Sequence, residues 1–154
     1  MDKVFQIKDI FSLIDNYWYW ILAGIITLII RAILTFFKAL AINNGEADDA
    51  EKEEEKKWKH KGFKEIFKHS FLSSGKDIRI DDYWLPAIIG YFELIVFPLL
   101  MAKGWIVGIG AWIAIKTASS WGGWQKTRTA YNRFLLGNIL SLSAAYIVMQ
   151  IFDL

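Results

Sequence analysis

Residues Tyr83 to Ala102 read YWLPAIIGYFELIVFPLLMA, a run that is apolar or aromatic almost throughout and carries one carboxylate, Glu93, near its middle. A spanning helix needs roughly 20 mostly apolar residues, so this stretch is long enough to cross a bilayer. Glu93 lies ten residues past Tyr83. At about 1.5 Å per residue that depth is the midplane, where an unpaired ion costs at least about 2.5 kcal/mol. A charge in such a place needs a partner or a path.

Three further stretches approach spanning length. Tyr17 to Ile42, YWYWILAGIITLIIRAILTFFKALAI, opens on an aromatic cluster of the kind that sits at headgroup level. Trp105 to Ser119 is separated from the opening run only by Lys103 and Gly104, so the two form a helical hairpin. Phe134 to Phe152, FLLGNILSLSAAYIVMQIF, is the last. The expected fold class is all-α, a polytopic transmembrane helical bundle of four spans in a single membrane domain, covering about 17–42, 83–102, 105–119 and 134–152. Because the third segment is short, three spans with a re-entrant or interfacial segment is the alternative.

Counting Lys and Arg orients the chain. The stretch Lys38 to Asp82 carries ten and Lys116 to Arg133 carries four, against Lys3, Lys8 and Lys103 on the other side. Four spans place both basic loops on one side automatically, in the cytoplasm, with both termini outside. The N-terminal MDKVFQIKDIFSLIDN has three acids and no apolar core before a cleavage site, so it is no signal peptide, which fits a bacterial inner membrane. Val4, Ile7, Phe11 and Ile14 recur at helical spacing, as in a short interfacial helix.

Between the first two spans, at about 43–82, lies a charged segment. Its acidic part, EADDAEKEEEKK, is followed by WKHKGFKEIFKH, in which Phe63, Ile66, Phe67 and Phe71 share a helical face edged by Lys61, Lys64 and Lys68. This reads as a basic amphipathic helix on the inner leaflet, contacting anionic lipid, with Arg128 and Arg133 of the second basic loop as further contacts; an ordinary solvated connector is the plain alternative.

The composition excludes several functions. A net charge of +2 provides no field for nucleic acid. Cysteine is absent, and His60 and His69 match no metal-ligand spacing, so no metal and no cofactor is expected. An enzyme is the least favoured class, since no Cys or His lies near a span and Asp81 and Asp82 are the one adjacent acid pair at a span's edge.

Attention therefore falls on the intramembrane charges. Arg31 in the first span is close to Glu93 in depth, and an Arg31–Glu93 bridge is the economical pairing. Gly24, Thr27, Arg31, Thr35 and Lys38 repeat at three and four on one stripe, and Pro86, Gly90, Glu93 and Phe97 do the same on the second span. Pro98 is expected to kink the helix one turn past Glu93. Lys116, near the end of the third apolar run, can snorkel to the interface and needs no partner. Gly104 with Gly108, Gly110 with Ala114, and Gly137 with Ser141 and Ala145 beside Asn138 give close-packing patterns.

Two functional expectations follow. One is a structural, accessory or assembly protein embedded in lipid, self-associating or joined to a membrane-complex partner, with Arg31–Glu93 as a staple. The other is an oligomeric ion channel or transporter with Glu93 lining the path.

Overall fold

The computed structural model describes residues 16–44, 62–72, 85–124 and 128–154. All secondary structure among the described residues is helical: α1 (Tyr17–Asn43), α2 (Phe63–Leu72), α3 (Leu85–Ala102), α4 (Ile106–Trp124) and α5 (Arg128–Ile151). Tyr17–Asn43 and Tyr131–Ile151 are long and apolar enough to cross a membrane, while Pro86–Ala102 and Ile106–Ser119 are shorter apolar helices. The expected N-terminal interfacial helix and the charged run through Lys61 lie outside the described residues.

Local chemistry sets the helix ends. Asn16 caps α1, its side-chain oxygen accepting from the Trp18 amide at 3.1 Å, which meets one of the orphan donors of a helix start. Between α3 and α4, the Trp105 amide reaches back to the Leu100 carbonyl and the Gly104 amide to that of Met101. This is a Schellman turn, and it requires the positive φ of 70° that Gly104 adopts without a Cβ clash. Gly104 is thereby a turn residue, and its spacing to Gly108 is not a helical packing face. The same hydrogen-bond pattern closes α5 through Leu154 and Asp153.

Cross-chain contacts set the helix directions. Tyr19 at the start of α1 meets Phe152 at the end of α5, and Leu34 further along α1 meets Gly137 near the start of α5, so these two run antiparallel. Tyr19 also meets Ile95, and Gly24 meets Tyr91, so α1 and α3 are antiparallel too. The apolar core lies among them: Tyr19 and Ala23, Leu94, Ile95 and Phe97, and Ala145 with Val148, joined by Ile109 of α4. Alanine at Ala23 and Ala145 lets backbones approach closely. Away from this core, large side chains face outward, among them Ile21, Ile25, Leu28 and Ile29 on α1 and Val107 of α4 at 86% exposed. Such a surface is unfavourable in water and neutral in hydrocarbon.

The amphipathic α2 does form, with its apolar face turned differently from expectation. It folds back along α1, burying Ile66 against Ala39 and Ile42 with Phe63 and Phe67 alongside. Phe63, Phe67 and Phe71 stack in succession, with centroids 6.4 and 5.9 Å apart. The face assigned to lipid is thus covered by α1, since a neighbouring helix offers closer packing than lipid. Lys64 and Lys68 remain exposed on the far side.

Pro98 sits inside α3 and is fully buried. Lacking an N–H, it leaves the Leu94 carbonyl without its usual donor, and its ring crowds the same turn. The Tyr19 hydroxyl donates to the neighbouring Ile95 carbonyl at 2.5 Å, a buried hydrogen bond that joins α1 to α3 beside the proline. Replacing Tyr19 by Phe is expected to lower stability by about 1 kcal/mol, the typical net worth of one hydrogen bond. Denaturant titration of the detergent-solubilised protein measures it, and an unchanged midpoint would show that the hydroxyl does no such work.

Candidate functional site

Glu93 is the only acidic residue between Asp82 and Asp153, and it lies halfway along α3 with 4% of its surface exposed. Its Oε1 accepts from Lys116 Nζ at 2.7 Å and from Trp112 Nε1 at 2.8 Å. Trp112 and Lys116 are one turn apart on α4, so both side chains converge on one acceptor. Lys116 Nζ also donates to Asn138 Oδ1 on α5 at 3.2 Å and lies 5.6 Å from the Phe134 ring centroid. The network therefore ties α3, α4 and α5 through one desolvated carboxylate.

This corrects the expected pairing: the partner of Glu93 is Lys116, not Arg31. Lys116 does not snorkel because α4 continues to Trp124, about two turns beyond it, so the residue is interior where the apolar run alone made it terminal. Arg31 instead donates from Nη2 to the Phe71 carbonyl at 2.9 Å, with its guanidinium 5.7 Å from the Phe71 ring centroid. Phe71 is in the last turn of α2, where carbonyls lack helical donors and the helix dipole attracts a cation. Arg31 caps the helix that folds back against it.

Arg31 and Glu93 nonetheless line the same cavity, about 620 Å³ in volume, which receives residues from all five helices. Thr35 and Lys38 reach it from α1, Ser70 from α2, Gly90 from α3, and Arg133 and Ser141 from α5. Every buried polar side chain among the described residues, namely Thr35, Ser70, Glu93, Asn138 and Ser141, lines it. Leu94 belongs both to the lining and to the apolar core, so that core abuts the cavity.

The remaining expected site residues divide. Thr27 lines the cavity, but its hydroxyl donates to the Ala23 carbonyl of its own helix at 2.8 Å. Gly90 lines it with no atom within 4 Å of where a Cβ would stand. Gly24 is instead a helix contact, 3.7 Å from the Tyr91 ring, and Pro98 belongs to the turn held by Tyr19. Arg133, expected at anionic lipid, lines the cavity; Lys61 and the side chain of Arg128 lie outside the described residues. Trp112, Lys116 and Ser70 carry roles the sequence reading did not assign. The spacing of four between Trp112 and Lys116, the latter the lone charge in its apolar run, was the available signal.

Chemically, the network is one carboxylate oxygen held by an ammonium and an indole N–H. Among the described residues no three His, Cys, Asp or Glu side chains gather to hold a metal. An ammonium only donates, so it fixes Asn138 Oδ1 toward itself and leaves Nδ2 as a buried donor with no partner. Such an orphan costs about 1–3 kcal/mol.

Removing one member of a buried ion pair is strongly destabilising, on the order of 3 kcal/mol, because the other charge is left uncompensated. Glu93→Gln and Lys116→Met are each expected to lose about that much, and the double variant to recover most of it. Glu93→Gln combined with Arg31→Gln should instead be additive within about 0.5 kcal/mol. Denaturation of the three single and two double variants decides between the two partners.

No family model matches the chain, and no curated protein and no solved structure is significantly similar to it.

Proposed function

We propose that the chain is a four-span integral membrane protein with a structural role, an accessory or assembly component that self-associates in the bilayer. The observation that carries this reading is the state of Glu93: buried, its carboxylate engaged by Lys116 and Trp112, and tying three helices together. A charge so occupied is suited to setting register, which is the best-attested use of a buried pair.

Four crossings are supported by length. α3 and α4 have 18 and 19 residues. At 1.5 Å per residue they are roughly 27–28 Å long, close to the hydrocarbon thickness of about 30 Å, and the turn at Gly104 reverses the chain between them. With both basic loops on the cytoplasmic side, the termini lie outside.

Self-association is supported by where the small residues point. Gly137, Ser141 and Ala145 face inward, and a Cβ on Gly137 would come within 3.2 Å of Leu34. Gly108, Gly110 and Ala114 on α4 are exposed, and the two glycines have nothing within 4 Å of a Cβ position. A surface of that shape allows another helix to approach closely. An oligomeric channel with Glu93 on its path is the alternative, drawing on the polar cavity; the engaged carboxylate and the apolar core beside the cavity weigh against it.

Two measurements separate these readings. In proteoliposomes the protein is expected to pass no ions above protein-free vesicles, and a flux altered by Glu93→Gln in an intact oligomer would favour the channel. Gly110→Ile and Ala114→Ile are expected to shift cross-linked oligomers toward monomer with little loss of stability. Gly137→Ile should leave the oligomer unchanged and destabilise the fold by about 1–3 kcal/mol through overpacking against Leu34. Oligomers that persist in both α4 variants rule out this face.

A further inference from the structure

We propose that the cavity is a water-filled chamber that brings water to Glu93, entered from the end of the bundle opposite the Gly104 turn and closed at the other end by the apolar core. The inference goes beyond the structural role and stands whether or not the chain self-associates.

Hydrogen-bond demand is the first ground. Both donors that reach Glu93, Trp112 Nε1 and Lys116 Nζ, end on Oε1, and Oε2 takes no hydrogen bond among the described residues. A carboxylate offers lone pairs on both oxygens, so the second oxygen of a residue only 4% exposed still calls for a donor. Hydroxyls make the complementary demand. Thr27 and Thr117 return theirs to carbonyls of their own helices at 2.8 and 2.7 Å, whereas Thr35, Ser70 and Ser141, all buried and lining the cavity, have no such bond among the described residues. A hydroxyl both donates and accepts. The lining therefore needs an occupant that does both, as water does and a hydrocarbon chain does not.

Placement is the second ground. The lining comes from Thr27 onward in α1, from α3 no further than Leu94, from Lys116 onward in α4 and from α5 no further than Ser141. Antiparallel packing brings these stretches to one end of the bundle. The apolar core takes Tyr19 and Ala23 from the start of α1, Ile109 from the start of α4, and Ala145 and Val148 from the end of α5, so it fills the end beside the Gly104 turn. Leu94 belongs to both and marks where the chamber stops.

Size is the third. At about 30 Å³ of liquid volume per molecule, a cavity of about 620 Å³ has room for on the order of 20 waters. Empty cavities are apolar ones; a polar cavity with room for water and with two to four partners for each molecule holds it.

The test uses thiol reactivity. The chain has no cysteine, so each single-cysteine variant of the full chain reports one position. Reaction rates with 2-hydroxyethyl methanethiosulfonate, a small neutral reagent, are measured in phosphatidylcholine vesicles. The thiolate is the reactive form, and apolar surroundings suppress it. Gly90→Cys, with nothing within 4 Å of its Cβ position, and Ser141→Cys, one small polar side chain for another, probe the chamber. Both are expected to react at least about tenfold faster than Ala145→Cys in the core, and to approach the rate of Lys64→Cys on the exposed face of α2. Should one of the two not fold, the other decides, and Ala23→Cys replaces Ala145→Cys on the same terms. Chamber variants as slow as the core variant overturn the proposal, because lipid or protein then fills the cavity. A core variant as fast as Ser141→Cys overturns it too, because water then passes the core. Ile139→Cys, close to Ser141 in depth but 60% exposed, tests the membrane reading separately, being slow where lipid covers it and fast where water does.

Discussion

One buried carboxylate organises the interior of this protein. Glu93 sits midway along α3, and once withdrawn from solvent it needs compensating donors from its neighbours. Those donors come from one face of α4, where Trp112 and Lys116 lie a turn apart, and Lys116 in turn reaches Asn138 on α5. The rotation of α4 about its axis, and its approach to α5, follow from meeting that requirement. The Schellman turn at Gly104 makes it possible, since so short a link returns α4 directly alongside α3.

The charge in the middle of α1 is held differently. Arg31 donates to a carbonyl in the last turn of α2 and lies over the face of the Phe71 ring. That solution depends on α2 folding back along α1, which its phenylalanine ladder and Ile66 drive by burying apolar surface against Ala39 and Ile42. The hydrophobic packing of a short helix thus places a backbone acceptor where a guanidinium needs one. Two charges at similar depth therefore need not pair, because backbone carbonyls at a helix end compete for the cation.

Polar and apolar parts of the interior are segregated. Tyr19, Leu94, Phe97, Ala145 and Val148 pack tightly on one side, and the buried polar groups collect around the cavity on the other. Small residues are divided likewise: those of α5 face inward toward α1 and Leu34, and those of α4 face outward. A packed apolar half thus lies beside a polar chamber.

Much was legible from the sequence, and for a physical reason: whatever depends on position along one helix is a local property. Helical content, the two long apolar helices, the hairpin turn at Gly104, the amphipathic α2 and the importance of Glu93 can all be read from runs, spacings and single residues. What escaped was azimuth and neighbourhood. The Arg31–Glu93 pairing rested on depth alone, and depth does not say which face of a helix meets which other helix. The apolar run ending near Ser119 understated the length of α4, so Lys116 looked terminal when it is interior. Whether a glycine pair packs inside or faces out is equally invisible in one dimension. The sequence determined that charges would be buried in an apolar helical protein. Tertiary structure decided their partners, since a buried ion is satisfied by whichever donor or acceptor the packing of neighbouring helices brings within about 3 Å.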